Sequence, residues 1–140
     1  MNEWYNMTNL QKGKLETYVK FKTNFVFENY LALLSPEERK ALTRLRTSAN
    51  NLPIERGRYL GIPRQLRTCT NCSSHQVGDE IHVLFECPKY DLLRQNMYGR
   101  IQQHCKQFIL LNNKNKLIWV LNCENSDVLK SLCELIKGSV

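Results

Sequence analysis

Four residues close together in the sequence form the motif that most constrains this chain. Cys69 and Cys72 are separated by two residues, and His82 and Cys87 by four, so the pattern is C-x2-C-x9-H-x4-C. A C-x2-C turn directs two thiolates at one point, and a second pair completes a tetrahedral set of sulfur and nitrogen ligands. Zinc accepts these ligand types, whereas calcium and magnesium prefer oxygen. The spacing therefore predicts a structural zinc site that has four protein ligands and no open position.

Other cysteines and histidines compete for a role in this site. His75 follows Cys72 closely and is a rival ligand, but its use would leave His82 idle and break the second pair. A redox C-x-x-C would need a thioredoxin-like βαβ pattern, which this sequence does not show. His104 is predicted at the surface. Apolar helical or near-core positions predict buried thiols for three further residues: Cys105, Cys123 and Cys133.

The length of 140 residues predicts one domain, large enough to bury a core without depending on a metal. The longest apolar run, at residues 117–121, is far too short for a membrane span, so no membrane partner is expected. The N-terminal residues show no apolar stretch typical of a secretion signal. Together with six cysteines, this predicts a reducing intracellular location, nuclear or cytoplasmic.

Hydrophobic spacing predicts a mainly α fold, a small helical domain with an inserted CCHC zinc knuckle. Apolar residues recur at helical intervals over residues 15–34, 36–50, 93–108 and 125–138. Ser35, Pro36 and Glu38 form the start signal of the second helix, which should bury Ala41, Leu42, Leu45 and Ala49. The last helix places five apolar residues on one side: Val128, Leu129, Leu132, Leu135 and Ile136.

Two stretches are predicted to be irregular, residues 52–68 and the polar residues 112–116, while residues 117–121 fit either a strand or a short buried helix. The whole chain, residues 1–140, is predicted to be one domain. Residues 1–68 would supply helices and a basic loop, residues 69–90 the zinc knuckle, and residues 91–140 the C-terminal helices.

The net charge of +7 is concentrated just before the first cysteine pair. Residues 35–68 hold eight cations against three carboxylates, which fits either a polyanion-binding surface or a solvated helix face followed by a charged loop. Tyr59 and Tyr90 lie among these cations, where they could stack on single-stranded bases or pack against the zinc loop. The candidate nucleic-acid contacts are six arginines: Arg44, Arg46, Arg56, Arg58, Arg64 and Arg67.

Arg46 is the exception in this set. Its place between Leu45 and the zinc knuckle also allows an inward ion pair with an acidic residue, and the candidates are Glu55, Glu80 and Glu86. In that case its loss would reduce stability rather than affinity.

Residues 41–94 resemble the zinc-binding domain at the C-terminal end of reverse transcriptases from non-LTR retrotransposons. The resemblance rests on the segments LTRLRTS (42–48), IERGRY (54–59), CTNC (69–72) and DEIHVLFECPKY (79–90). It implies a zinc knuckle that helps to hold template RNA, or single-stranded or target DNA, near a polymerase. By motif position, the zinc ligands it implies are Cys69, Cys72, His82 and Cys87.

The polymerase chemistry itself is not expected in this chain. A reverse transcriptase core needs a pair of adjacent aspartates to hold two metal ions, and no Asp-Asp pair occurs here. The prediction is therefore a non-catalytic nucleic-acid-binding module with no small-molecule substrate. The alternatives are a zinc-stabilised scaffold for protein interactions, which would dock a partner on the apolar C-terminal helix, and a non-functional remnant of an element.

Overall fold

The computed structural model describes Tyr18, Phe21, Lys22 and residues 26–139. This part of the chain is mainly helical, as predicted. Its α-helices are α1 (Tyr30–Leu33), α2 (Pro36–Arg46), α3 (Pro53–Tyr59), α4 (Asp91–Gln102), α5 (Asn113–Leu121) and α6 (Ser126–Ser139). Short 3-10 turns form at Arg64–Leu66, Pro88–Tyr90 and Phe108–Leu110, and a π-helical turn spans His82–Glu86.

Helix α2 begins as the sequence predicts and ends earlier. The Ser35 hydroxyl accepts a bond from the Glu38 amide at 3.3 Å, and the Glu38 carboxylate accepts one from the Ser35 amide at 2.9 Å, which is a complete capping box. The helix ends at Arg46 because Ser48 adopts a left-handed conformation with φ of 57°. The Ala49 amide then donates to the Arg44 carbonyl at 2.8 Å, which closes a Schellman motif. The prediction that Ala49 is buried in this helix was wrong, since Ala49 lies exposed beyond it.

Helix α6 is the centre of the core. It packs against α2 and α4, and all five apolar residues predicted for its inner side are at most 2% exposed. An apolar side this well covered stabilises the fold by excluding water. The apolar side on which the scaffold alternative would dock a partner is therefore covered by the chain's own helices.

Two stretches predicted to be irregular are helical. Pro53 opens α3 within the supposed loop 52–68, where a proline is suited to the first helical position, and Ile54 and Gly57 are buried. Asn112, placed in the supposed polar loop 112–116, caps α5 by accepting a bond from the Asn115 amide at 2.8 Å. Residues 117–121 are therefore the end of a helix, which is one of the two predicted alternatives.

The structure agrees only in part with the remaining helix predictions. Helix α4 covers Met97 and Ile101 but ends at Gln102, so Cys105 and Phe108 follow it in turns rather than on the same helix. Much of the helix predicted over residues 15–34 lies outside the described residues. None of the helices in the described ranges is both long and apolar enough to cross a membrane.

Candidate metal centre

The first cysteine pair lies on a short hairpin. An isolated antiparallel bridge joins Thr68 to Val77, and the Cys69 amide donates to the Gln76 carbonyl at 2.8 Å. Within the loop, the Asn71 amide points at the Cys69 sulfur at 3.4 Å. The hairpin therefore turns the chain back after Cys72 and leaves both sulfurs on one side.

The second pair lies on the π-helical turn. The Asp79 carboxylate accepts a bond from the His82 amide at 2.9 Å and so starts the turn. The Cys87 amide then donates to the His82 carbonyl at 2.7 Å, which is an i→i+5 bond. Because one wide turn places residues five apart above each other, the H-x4-C spacing matches this turn and brings His82 and Cys87 together.

The two elements place four ligand atoms in one cluster. The sulfurs of Cys69, Cys72 and Cys87 and a ring nitrogen of His82 all lie within 4.8 Å of one another. The Cys69 and Cys87 sulfurs are 3.9 Å apart, and the Cys72 sulfur is 3.4 Å from His82 Nε2. A tetrahedral site with metal–sulfur bonds of about 2.3 Å has sulfur–sulfur edges of about 3.8 Å. The cluster can therefore hold a metal ion with little rearrangement.

His82 is oriented for this role by its neighbours. Its side chain is 2% exposed, and its Nδ1 lies 3.0 Å from Gln76 Oε1 and 3.4 Å from Glu86 Oε2. A proton on Nδ1 donated to either oxygen leaves the Nε2 lone pair facing the three sulfurs. This is the arrangement in which an acceptor beyond the ligand fixes the tautomer of a metal-binding histidine.

The thiols of the cluster have unequal acidity. Hydrogen bonds from the Ser74 hydroxyl, 3.1 Å from the sulfur, and from the Ser74 backbone lower the pKa of Cys72 to about 6. Burial raises the pKa of Cys87 to about 11, and the neighbouring Cys69 acts in the same direction. Several thiolates packed together are unstable without a cation, whereas a divalent ion at their centre would stabilise the charged form of each.

Arg94, which the sequence analysis did not single out, fixes the π-helical turn. This guanidinium, 5% exposed, donates to the carbonyls of Leu84 at 2.7 Å, Val83 at 3.2 Å and Cys87 at 2.7 Å, and it pairs with the Asp91 carboxylate. These bonds satisfy carbonyl groups that the irregular turn leaves open.

The position of Arg94 in α4 could have revealed this role. It lies three residues before Met97 and seven before Ile101, so it occupies the apolar side of the helix. A charged residue at such a position is buried only when its hydrogen bonds are satisfied.

The competing histidine and the other cysteines lie outside the cluster. His75 is exposed in the loop with a φ of 57°, so the structure favours His82 as the fourth ligand. His104 is exposed, as predicted. Cys133 is buried, and burial raises its pKa to about 12, while Cys105 and Cys123 are partly buried.

Arg46 is not available for a nucleic-acid contact, and this corrects its place among the predicted contacts. Its side chain is 2% exposed, donates to the Leu121 carbonyl and lies 3.0 Å from a Glu28 carboxylate oxygen. The inward ion pair anticipated from the sequence therefore exists with a different partner, since Glu28 takes the place of Glu55, Glu80 or Glu86.

The other five arginines differ in what they touch. Arg44, Arg56 and Arg64 are exposed, and Arg64 lies 4.0 Å from an Asp79 carboxylate oxygen. Arg58 is partly buried and pairs with Glu55 at 3.0 Å.

Arg67 is tied to the backbone, since it donates to the carbonyls of Ile62 at 2.8 Å and Ile54 at 3.1 Å. Arg56 and Arg67 line one groove, whereas Arg44 lines a second groove between α2 and α6.

The two tyrosines among these cations also differ. Tyr59 is 70% exposed, and the Arg58 guanidinium lies 4.6 Å from its ring centre. Tyr90 is 5% exposed and packs in the core. Of the two predicted stacking residues, only Tyr59 is therefore accessible.

The chain was also compared with known proteins. No family model matches the sequence, and neither a curated protein nor a solved structure matches it. The geometry of the four ligand residues is therefore the strongest functional evidence for this chain, and the resemblance to a retrotransposon domain stays a prediction.

Proposed function

We propose that this chain is a non-catalytic nucleic-acid-binding module whose segment 69–87 is held by one structural zinc ion. The observation that carries the proposal is the convergence of three sulfurs and one imidazole nitrogen within 4.8 Å. Three thiolates and an imidazole form a soft donor set that suits zinc and is unsuited to magnesium or calcium.

A structural role follows from the number and burial of the ligands. Four protein ligands fill a tetrahedral zinc site, so no position is left for a water or substrate. Cys69, His82 and Cys87 are each at most 7% exposed. When bound, the ion would cross-link the hairpin to the π-helical turn, and Arg94 and Gln76 would hold the ligands in place.

The nucleic-acid partner is proposed from charge and from its placement relative to this site. Four of the candidate arginines, Arg56, Arg58, Arg64 and Arg67, belong to the stretch that leads directly into Cys69. The net charge of +7 favours a polyanion, and the resemblance to a reverse transcriptase tail points to RNA or DNA. A metal-fixed hairpin would hold this basic stretch in one conformation.

A salt titration tests the proposal directly. Binding of a labelled single-stranded oligonucleotide to the zinc-loaded chain should weaken with salt, with a slope of about 0.7 per phosphate contact. The double variant Arg56→Gln/Arg64→Gln should flatten this slope by about one unit or more. The control Lys106→Gln/Lys130→Gln removes the same charge from two other exposed positions and should leave the slope nearly unchanged.

Two results would contradict the proposal. One is the absence of any salt-dependent binding by a folded, zinc-loaded protein. The other is an identical loss in both double variants, because that would show attraction to net charge without a defined surface.

A further inference from the structure

A groove lies next to the candidate metal centre. Its volume is about 470 Å³, and it runs between α3, the turn at Arg64–Leu66 and the first arm of the cysteine hairpin. Its lining is mainly apolar, with two arginines and no acidic residue: Pro53, Arg56, Gly57, Leu60, Ile62, Leu66, Arg67, Thr68 and Thr70. The groove therefore offers an apolar floor beside positive charge.

The apolar side chains of this groove are unusually open to water. Leu60 is 75% exposed and Leu66 is 64% exposed, and Tyr59, which adjoins Leu60 in the chain, is 70% exposed. Isolated exposed leucines are ordinary, but two in one concave site, together with a few polar groups, are typical of a binding surface.

We infer that this groove receives the unpaired bases of a single-stranded nucleic acid, with the phosphates on Arg56, which lines the groove, and on Arg64, which lies on the turn that borders it. The inference rests on the proposed function and specifies its ligand as single-stranded. Single-strand sites combine a positively charged groove with aromatic side chains on which bases stack. Here the exposed Tyr59, next to Leu60, would supply the aromatic ring, and Leu60 and Leu66 would supply an apolar floor. A duplex keeps its bases stacked inside, so its phosphates could reach the arginines while the apolar floor stayed uncovered.

The groove and the metal centre share a wall. Thr68 and Thr70, which line the groove, flank the ligand Cys69. Arg67 bridges the same region, because its guanidinium holds the carbonyls of Ile54 and Ile62. Loss of the metal should therefore loosen this wall and weaken single-strand binding more than binding to a duplex.

The test compares two forms of one ligand on the zinc-loaded full chain. Anisotropy titrations would use labelled oligothymidine and oligouridine of about 12 nucleotides, and the oligothymidine annealed to its complement. We expect at least one of the two single strands to bind about tenfold more strongly than the duplex at the same salt concentration, or more strongly still. Leu60→Ser/Leu66→Ser should weaken single-strand binding about tenfold and leave duplex binding unchanged.

A matched control separates the groove from a general effect of removing surface leucines. Leu92 and Leu110 are 88% and 82% exposed and line no part of the groove, so Leu92→Ser/Leu110→Ser should not change binding. Circular dichroism would confirm that both double variants are folded.

The other possible results contradict either the inference alone or the proposed function as well. Equal affinity for single strand and duplex, or unchanged binding by Leu60→Ser/Leu66→Ser, would overturn the inference while leaving the proposed function intact. Failure to bind any of the three probes would overturn both, and would favour a protein partner for this groove.

Discussion

The buried arginine of α2 provides a demanding test of the structure. Arg46 donates to the Leu121 carbonyl, pairs with Glu28, and places its guanidinium 4.3 Å from the Phe21 ring centre and 4.8 Å from that of Tyr30. These contacts join residues far apart in the chain. We predict that Arg46→Met, which keeps an apolar stem and removes the charge, destabilises the fold and does not act through nucleic-acid binding.

The expected loss follows from what the substitution leaves behind. Removing one partner of a buried ion pair costs about 3–5 kcal/mol. Glu28 retains Lys22 as a partner and its side chain is 25% exposed, which places the cost at the low end of that range. The Leu121 carbonyl also loses a donor, and the methionine recovers part of the total by packing between the rings. We expect the free energy of unfolding to fall by about 3 kcal/mol, and Tm by about 10 °C.

Urea unfolding followed by circular dichroism, with zinc present throughout, would measure this loss. The control is Arg44→Met, because Arg44 is exposed on the same helix and its replacement should change stability by no more than about 0.5 kcal/mol. A loss below about 1 kcal/mol for Arg46→Met, or equal losses in the two variants, would refute the assignment of Arg46 to the core.

Two further predictions concern glycines and thiols. Gly57→Ala should lower stability by about 1–3 kcal/mol in the same unfolding assay, because the new Cβ would lie 2.7 Å from Arg67 Cδ. A Cβ at Gly99 would meet open space, so Gly99→Ala should raise stability by about 0.5–1 kcal/mol. A Gly57→Ala protein more stable than the Gly99→Ala protein would contradict this prediction. In metal-free protein at pH 7, Cys72 should be mainly a thiolate because its pKa is about 6, whereas burial raises the pKa of Cys133 to about 12. Iodoacetamide should therefore alkylate Cys72 well before Cys133. Equal alkylation rates, measured by mass spectrometry, would contradict this prediction.

Local sequence rules predicted the parts of this fold that depend on neighbouring residues. The capping box at Ser35 and the apolar side of α6 both involve residues within a few turns of one another. The end of α2 was missed because Ser48 takes a left-handed position that glycine usually occupies. A serine at this position does not indicate the end of a helix in the sequence.

The buried arginines show a different limit. Arg46 meets a carbonyl 75 residues away in the chain, and Arg94 meets carbonyls of an irregular turn. Composition assigns arginines to the surface. The neighbouring sequence allows these two to face the interior, but the carbonyls that each one bonds are set by the fold. The clustering of Cys69, Cys72, His82 and Cys87 could be predicted because their spacing reflects the two turns that carry them. Which of the arginines are exposed could be determined only from the fold.

The most direct test of the central claim is the metal content of the purified chain and of two histidine variants. Mass spectrometry of the intact protein under native conditions should find one zinc ion per chain in the original protein and in His75→Ala. His82→Ala should lose the ion, because it removes the only nitrogen among the clustered ligand atoms. Full zinc occupancy in His82→Ala, or none in the original protein after purification with zinc, would contradict the account.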